Sequence, residues 1–157
     1  ALASTPGQSI ITAPNADPGG DEAKRRIDNF ASTAHDVMYH EALGPSLYPN
    51  ALRHASVMVG NSSSGIIEAG LFGLPVINVG RRQDGRLRES NVMDCKADSD
   101  EVAQMLRNLP SRFPNHCVYG DGAAAPRVAD YVTEEFDSAQ LLYKRFAADS
   151  AEFVAPW

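Results

Sequence analysis

The stretch Val57-Met58-Val59-Gly60-Asn61-Ser62-Ser63-Ser64-Gly65-Ile66-Ile67-Glu68-Ala69-Gly70-Leu71-Phe72 decides the fold. Val57–Gly60 is continuously apolar, as expected of a central parallel strand covered on both faces. The polar residues 61–64 then form a turn, and Gly65–Phe72 returns to apolar residues at helical length. In an open parallel sheet, ligands sit where a strand ends and the chain turns into a helix. Backbone N–H groups there, with the positive end of the helix dipole, favour an anion.

The same pattern continues on either side. Upstream, Ser9–Thr12 reads as a strand ending in the loop Ala13-Pro14-Asn15-Ala16-Asp17-Pro18. A helix is predicted over Asp21–Ala34, with Ile27 and Phe30 on its inner stripe, then a strand over Asp36–His40 and a helix over Ser46–His54. Downstream, Pro75–Val79 and Asn91–Cys95 read as strands. Asp98 or Ser99 caps a helix whose Val102, Met105, Leu106 and Leu109 follow helical spacing. Pro126 suits the first turn of a closing helix with Ala129, Val132 and Phe136 inward, and Asp137–Gln140 opens a last helix through Phe146. Strands alternating with helices predict an α/β fold, a parallel sheet flanked by helices. Residues 1–147 read as one domain and 148–157 as a tail.

Composition narrows the partners. The 157 residues carry 14 Lys and Arg against 20 Asp and Glu, a net charge of −6 that excludes nucleic-acid binding through bulk charge. No apolar run approaches the ~20 residues that span a bilayer. Cys95 and Cys117 lack metal-site spacing and read as two unpaired thiols of a reducing cytoplasm. The four histidines form no metal-binding pattern, so neither a metal nor a cofactor is expected.

Three serines and a glycine after Gly60 are more than a helix cap needs, since one serine would suffice. Their hydroxyls could hold a phosphate, with Gly65 letting it approach the backbone. Glu68 stands among Ile66, Ile67, Ala69 and Leu71. A buried carboxylate there needs partners, which a pair of sugar hydroxyls would supply, whereas a solvated face of the helix would need none. Phosphate and diol together suggest a nucleotide. The next strand ends in Arg81-Arg82-Gln83-Asp84-Gly85-Arg86-Leu87-Arg88, whose arginines can fork onto phosphate oxygens or simply be solvated, as at least two should be. Asn15 and Asp17 are expected on the same sheet edge, where turn chemistry alone could account for them.

Five motifs in order now resemble one family: Pro14-Asn15-Ala16-Asp17-Pro18-Gly19, Gly60 to Ala69, Phe72 to Gly80, Arg82-Gln83-x-Gly85-Arg86, and Tyr119-Gly120-Asp121-Gly122. Together, over about residues 9–136, they are similar to the hydrolysing UDP-N-acetylglucosamine 2-epimerases. The resemblance implies the C-terminal half of a two-domain, Rossmann-like, glycosyltransferase-B-type fold, with a UDP-sugar in the cleft. It implies anti-elimination of UDP and then hydration, giving N-acetylmannosamine and UDP in sialic-acid-type sugar biosynthesis. Ser62 and Ser63 would hold the diphosphate, Glu68 the ribose, and Arg82 the phosphate side, with Asn15 near sugar or phosphate. Catalytic residues are expected in an N-terminal domain not present here, so the chain alone should be inactive. A missing first strand should leave an uncovered sheet edge near Ile10 and Ile11, and a homo-oligomer is expected. A two-domain glycosyltransferase and a stand-alone nucleotide-binding module are the competing readings.

Overall fold

A computed structural model of the chain describes residues 1–2, 5–15 and 19–135. Asp17, Phe136, the helix expected from Asp137 and the tail at 148–157 lie outside the described residues. Two compact units divide the chain, Ala1–Tyr119 and a second beginning at Gly120.

In the first unit the elements alternate: β1 (Ser9–Thr12), α1 (Gly20–Thr33), β2 (Val37–His40), α2 (Gly44–His54), β3 (Met58–Gly60), α3 (Ser63–Ile67), a 3₁₀ turn (Ala69–Phe72), β4 (Val76–Val79), β5 (Val92–Cys95) and α4 (Ser99–Arg107). The fold is α/β, and every strand pairing is parallel. The strands fall into two sheets, β1–β2 and β3–β4–β5, rather than one. Among the described residues β1 pairs only with β2. No strand among the described residues pairs with its other edge, and Ile10 is 48% exposed. Ile27 and Phe30 are half-buried on α1, the helix that contacts β2.

The core belongs to the three-stranded sheet. Its centre is β4, not the expected Val57–Gly60 strand: Val76, Ile77 and Asn78 are almost fully buried, while Met58–Gly60 is half-buried at an edge. Among the described residues β3 has a strand neighbour on one side only, which leaves part of its surface in contact with solvent. Alternating residues of β4 face two apolar clusters, as strand geometry requires. Val76 packs with Leu52, Ala69 and Leu74, flanked by Tyr48, Met58 and Phe72. Ile77 packs with Cys95, Val102 and Leu106, flanked by Met105 and Leu109. The second cluster uses the predicted stripe of α4, and Asp98 caps that helix by accepting from the N–H groups of Asp100 and Glu101.

The helix expected over Gly65–Phe72 breaks in two. α3 ends after five residues, and Glu68 joins it to the 3₁₀ turn, which closes at Gly73 with φ 58°. A Cβ at Gly73 would lie 2.0 Å from the Phe113 carbonyl oxygen, so the close return of residues 113–116 requires glycine there. That segment is pinned by Phe113 N–H to Gly73 O and His116 N–H to Gly70 O. Arg112 binds the carbonyls of Leu52, Arg53 and Ala55 at the end of α2, and that of Phe72.

In the second unit, α5 (Ala124–Asp130) runs into a π-helical turn, Tyr131–Glu135. Asp121 accepts from Ala123 N–H and pairs with Arg127 ahead of α5. Ala129 and Val132, expected inward, are exposed. This described segment buries no residue of α5, and so supplies no core for an inward face to meet.

Candidate functional site

Parallel register places the ends of β3, β4 and β5 side by side: Gly60 lies opposite Asn78, and Val79 opposite Cys95. The loops leaving β3 and β4 therefore emerge at one edge and touch. Gln83 is 2% exposed and its side-chain amide donates to the Asn61 carbonyl at 2.8 Å. Arg82 Nη1 donates to the same oxygen at 3.3 Å. Arg82 thus reaches the turn that carries Ser62 and Ser63.

The serines divide their tasks. Ser62 is the N-cap of α3, its oxygen accepting from Ser64 N–H at 3.3 Å. A capping hydroxyl still has its own proton to donate. Ser63 is half-buried in the first turn. At five residues α3 is too short to contribute much macrodipole, so backbone N–H groups, hydroxyls and Arg82 are what the edge offers an anion.

Two expectations about this turn are corrected. Gly65 serves packing rather than ligand approach: a Cβ there would lie 2.9 Å from Val76 Cγ1 and 3.6 Å from Met58 Sδ. Helix α3 sits on β3 and β4 only because that position has no side chain. Glu68 is exposed, not buried, because the helix breaks at its own backbone. Its carboxylate is nevertheless partnered. Ser64 Oγ donates to Glu68 Oε2, and Ser64 Oγ is hydrogen-bonded in turn to the Tyr48 hydroxyl on α2. Burial raises the Tyr48 pKa; the bond to Ser64 lowers it in part, and the Glu68 charge adds to the rise.

The arginine loop is partly self-neutralised. Arg81 pairs with Asp84 at 2.8 Å. Arg88 Nε lies 3.2 Å from Asp94 Oδ2, close enough for attraction but misaligned for a hydrogen bond. Asp94 also accepts from buried Asn78 at 2.6 Å. Arg81 and Arg88 are thus held by carboxylates of the loop and of β5, where at least two of the arginines were expected to be simply solvated. Asn15 is exposed on the turn between β1 and α1, in the other sheet. Ser62, Ser63, Glu68 and Arg82 are thus brought to one edge of one sheet, and Asn15 is not part of that sheet.

Sequence reasoning missed Tyr48, Gln83 and Glu89, which accepts from His116 Nδ1 at 2.7 Å, and it grouped the Ser64 hydroxyl with the phosphate-binding serines, whereas that hydroxyl donates to Glu68. Of Tyr48, Gln83 and Glu89, Gln83 alone carried a signal, as a member of the Arg82-Gln83-x-Gly85-Arg86 motif. Among the described residues no His, Cys, Asp and Glu cluster could hold a metal ion. No helix among them is long and apolar enough to cross a membrane. Cys95 and Cys117 are unpaired.

Residues 1–133 match the model of the family described as UDP-N-acetylglucosamine 2-epimerase. Among curated relatives, the UDP-N,N'-diacetylbacillosamine 2-epimerase (hydrolyzing) of Legionella pneumophila is 39% identical over 123 residues, 76% of this chain and 32% of that protein. The GDP/UDP-N,N'-diacetylbacillosamine 2-epimerase (hydrolyzing) of Campylobacter jejuni is 37% identical over 101 residues, covering 63% and 26%. The UDP-N-acetylglucosamine 2-epimerase of Neisseria meningitidis is 38% identical over 106 residues, covering 67% and 28%. The chain spans about a third or less of the length of these relatives. With its α/β architecture and the polar edge after β3 and β4, this chain belongs to the UDP-N-acetylglucosamine 2-epimerase family.

Proposed function

We propose that the protein containing this chain is a hydrolysing UDP-sugar 2-epimerase and that this chain is its UDP-binding part. The observation that carries the reading is the meeting of Ser62, Ser63 and Arg82 with Glu68 at one sheet edge, tied together through Asn61. The hydroxyls of Ser62 and Ser63 donate to the diphosphate, and the Arg82 guanidinium offsets its charge. Glu68, one helical turn on, accepts from the ribose hydroxyls, and Asn15 approaches the sugar or phosphate side. Held this way, the diphosphate is a better leaving group, because developing charge meets donors already in place. The acid–base residues for elimination and hydration belong to the other, N-terminal part of a glycosyltransferase-B-type protein.

Residues 1–147 form the UDP-binding domain in this reading. The protein is a homo-oligomer and cytoplasmic, the compartment being in keeping with two unpaired thiols. It serves sialic-acid-type sugar biosynthesis. The sugar is N-acetylglucosamine or its diacetylated bacillosamine relative. Relatives named for each are about equally similar to this chain. Product analysis of the full-length protein with both UDP-sugars separates the two.

The decisive experiment is Glu68→Ala in the full-length protein, titrated with UDP by calorimetry. Charge-assisted hydrogen bonds of ~1.5–3 kcal/mol predict a loss of tenfold to a few hundredfold in UDP affinity. kcat at saturation should fall much less than kcat/KM, because the acid–base chemistry lies elsewhere. Equal UDP affinity in wild type and a folded variant would overturn the ribose assignment.

A further inference from the structure

The assignment of Glu68 to a ribose leaves open what holds an exposed carboxylate in place. Two side chains from separate elements bear on it. Ser64 lies one turn before Glu68 on α3, and its hydroxyl donates to Glu68 Oε2. Tyr48 lies on α2, sixteen residues before Ser64, and its hydroxyl contacts Ser64 Oγ. Proton counting fixes the direction of the chain. A carboxylate can only accept, and a serine hydroxyl has one proton to give. Ser64 gives that proton to Glu68, so Tyr48 must be the donor to Ser64. Every proton in the row Tyr48, Ser64, Glu68 therefore points toward the carboxylate.

We infer that Tyr48 and Ser64 are positioning residues that orient Glu68 to accept from a vicinal diol, making the site selective for ribose over deoxyribose. This rests on the ribose reading above. Ser64 engages Oε2, and because Glu68 is exposed its carboxylate keeps acceptor capacity for a ligand. A ligand group meeting it must be a donor; two adjacent hydroxyls satisfy it, whereas a carbonyl or a phosphate oxygen would be repelled. The anchor is rigid. Tyr48 is half-buried and packs against the cluster of Leu52, Ala69, Leu74 and Val76. An exposed glutamate otherwise spreads over several rotamers, and ordering it on binding weakens affinity. The relay orders it beforehand. Burial of Tyr48, with the Glu68 charge beyond, keeps the phenol protonated and so keeps it a donor.

The test uses the full-length protein and two probes, UDP and 2′-deoxyuridine 5′-diphosphate, titrated by calorimetry. The readout is the ratio of their dissociation constants, which global loosening of the fold would leave unmoved because both ligands would weaken together. Wild type should prefer UDP. Tyr48→Phe and Ser64→Ala each remove one oxygen, and each should cut that preference by about threefold to tenfold through weaker UDP binding. Ser64→Thr, which keeps the hydroxyl, should restore it. If Glu68→Gln abolishes the preference while Tyr48→Phe and Ser64→Ala retain it in full, the ribose reading stands and the positioning role is overturned. Equal weakening of both ligands by Ser64→Ala also overturns it, leaving a structural role only. If Glu68→Gln itself leaves the preference unchanged, the ribose reading fails and the inference fails with it.

Discussion

Gln83 donates its side-chain amide to the carbonyl oxygen of Asn61 across 2.8 Å, joining the loop after β4 to the turn after β3. The two residues are 22 positions apart in sequence, and the bond is partly buried, with Gln83 2% exposed. It keeps Arg82 at the turn that carries Ser62 and Ser63. Gln83→Leu, similar in size, should cost about 1 kcal/mol, near the low end for a lost buried hydrogen bond, because Arg82 still donates to Asn61. Gln83→Glu should cost more, since a buried carboxylate would face a carbonyl oxygen. Urea denaturation of the full-length protein measures both. UDP affinity should fall with stability in each variant.

Gly65→Ala should destabilise without removing any polar contact. The added methyl meets Val76 Cγ1 at 2.9 Å, and Val76 is 2% exposed in the centre of the sheet, so α3 must shift outward. Overpacking of this kind costs about 1–3 kcal/mol. A larger effect on UDP binding than on thermal stability would indicate that Gly65 serves the ligand directly, contrary to its packing here.

Arg112→Ala should unfasten the segment that returns over the 3₁₀ turn. Its guanidinium reaches three carbonyls at the end of α2 and one at Phe72, positions a helix terminus leaves without partners. A loss of ~1.5–3 kcal/mol is expected for removing a charged donor. Arg112→Lys should recover only part, because an ammonium lacks the planar fork. Hydrogen exchange should rise at the amides of Phe113 and His116, which bond to Gly73 and Gly70.

Cys117 should react with iodoacetamide well before Cys95. Cys95 is buried, and its thiol pKa is raised first by that burial and then by the nearby Glu101 and Asp94 carboxylates, so little thiolate forms. A raised folded-state pKa contributes stability below the unfolded thiol value and loses it as pH rises through the folded value. Stability should therefore decline from about pH 9 upward, and Cys95→Ala should flatten that slope. Mass spectrometry of timed labelling checks the first expectation, and denaturation at several pH values the second.

Local chemistry alone determined a good deal. The apolar runs at Val76–Val79 and Val92–Cys95, the Asp98 cap and the α4 stripe are properties of neighbouring residues, and they appear within a residue or two of where the sequence places them. The polar turn expected at residues 61–64 is shorter, because Ser62 caps a helix that already includes Ser63 and Ser64. What the sequence could not show depends on residues far apart. The relation of Tyr48 to Ser64, and of Gln83 to Asn61, exists only after the helices fold onto the sheet. The role of Gly65 is set by Val76, a side chain on another strand. The exposure of Glu68 follows from a helix break that no periodicity announces: Ala69, Gly70 and Leu74 tighten into the core, and Gly73 turns back toward Phe113. Periodicity reports which face of an element is apolar. Which strand has a neighbour on both sides, and so whether β3 or β4 forms the buried centre, is decided by tertiary pairing alone.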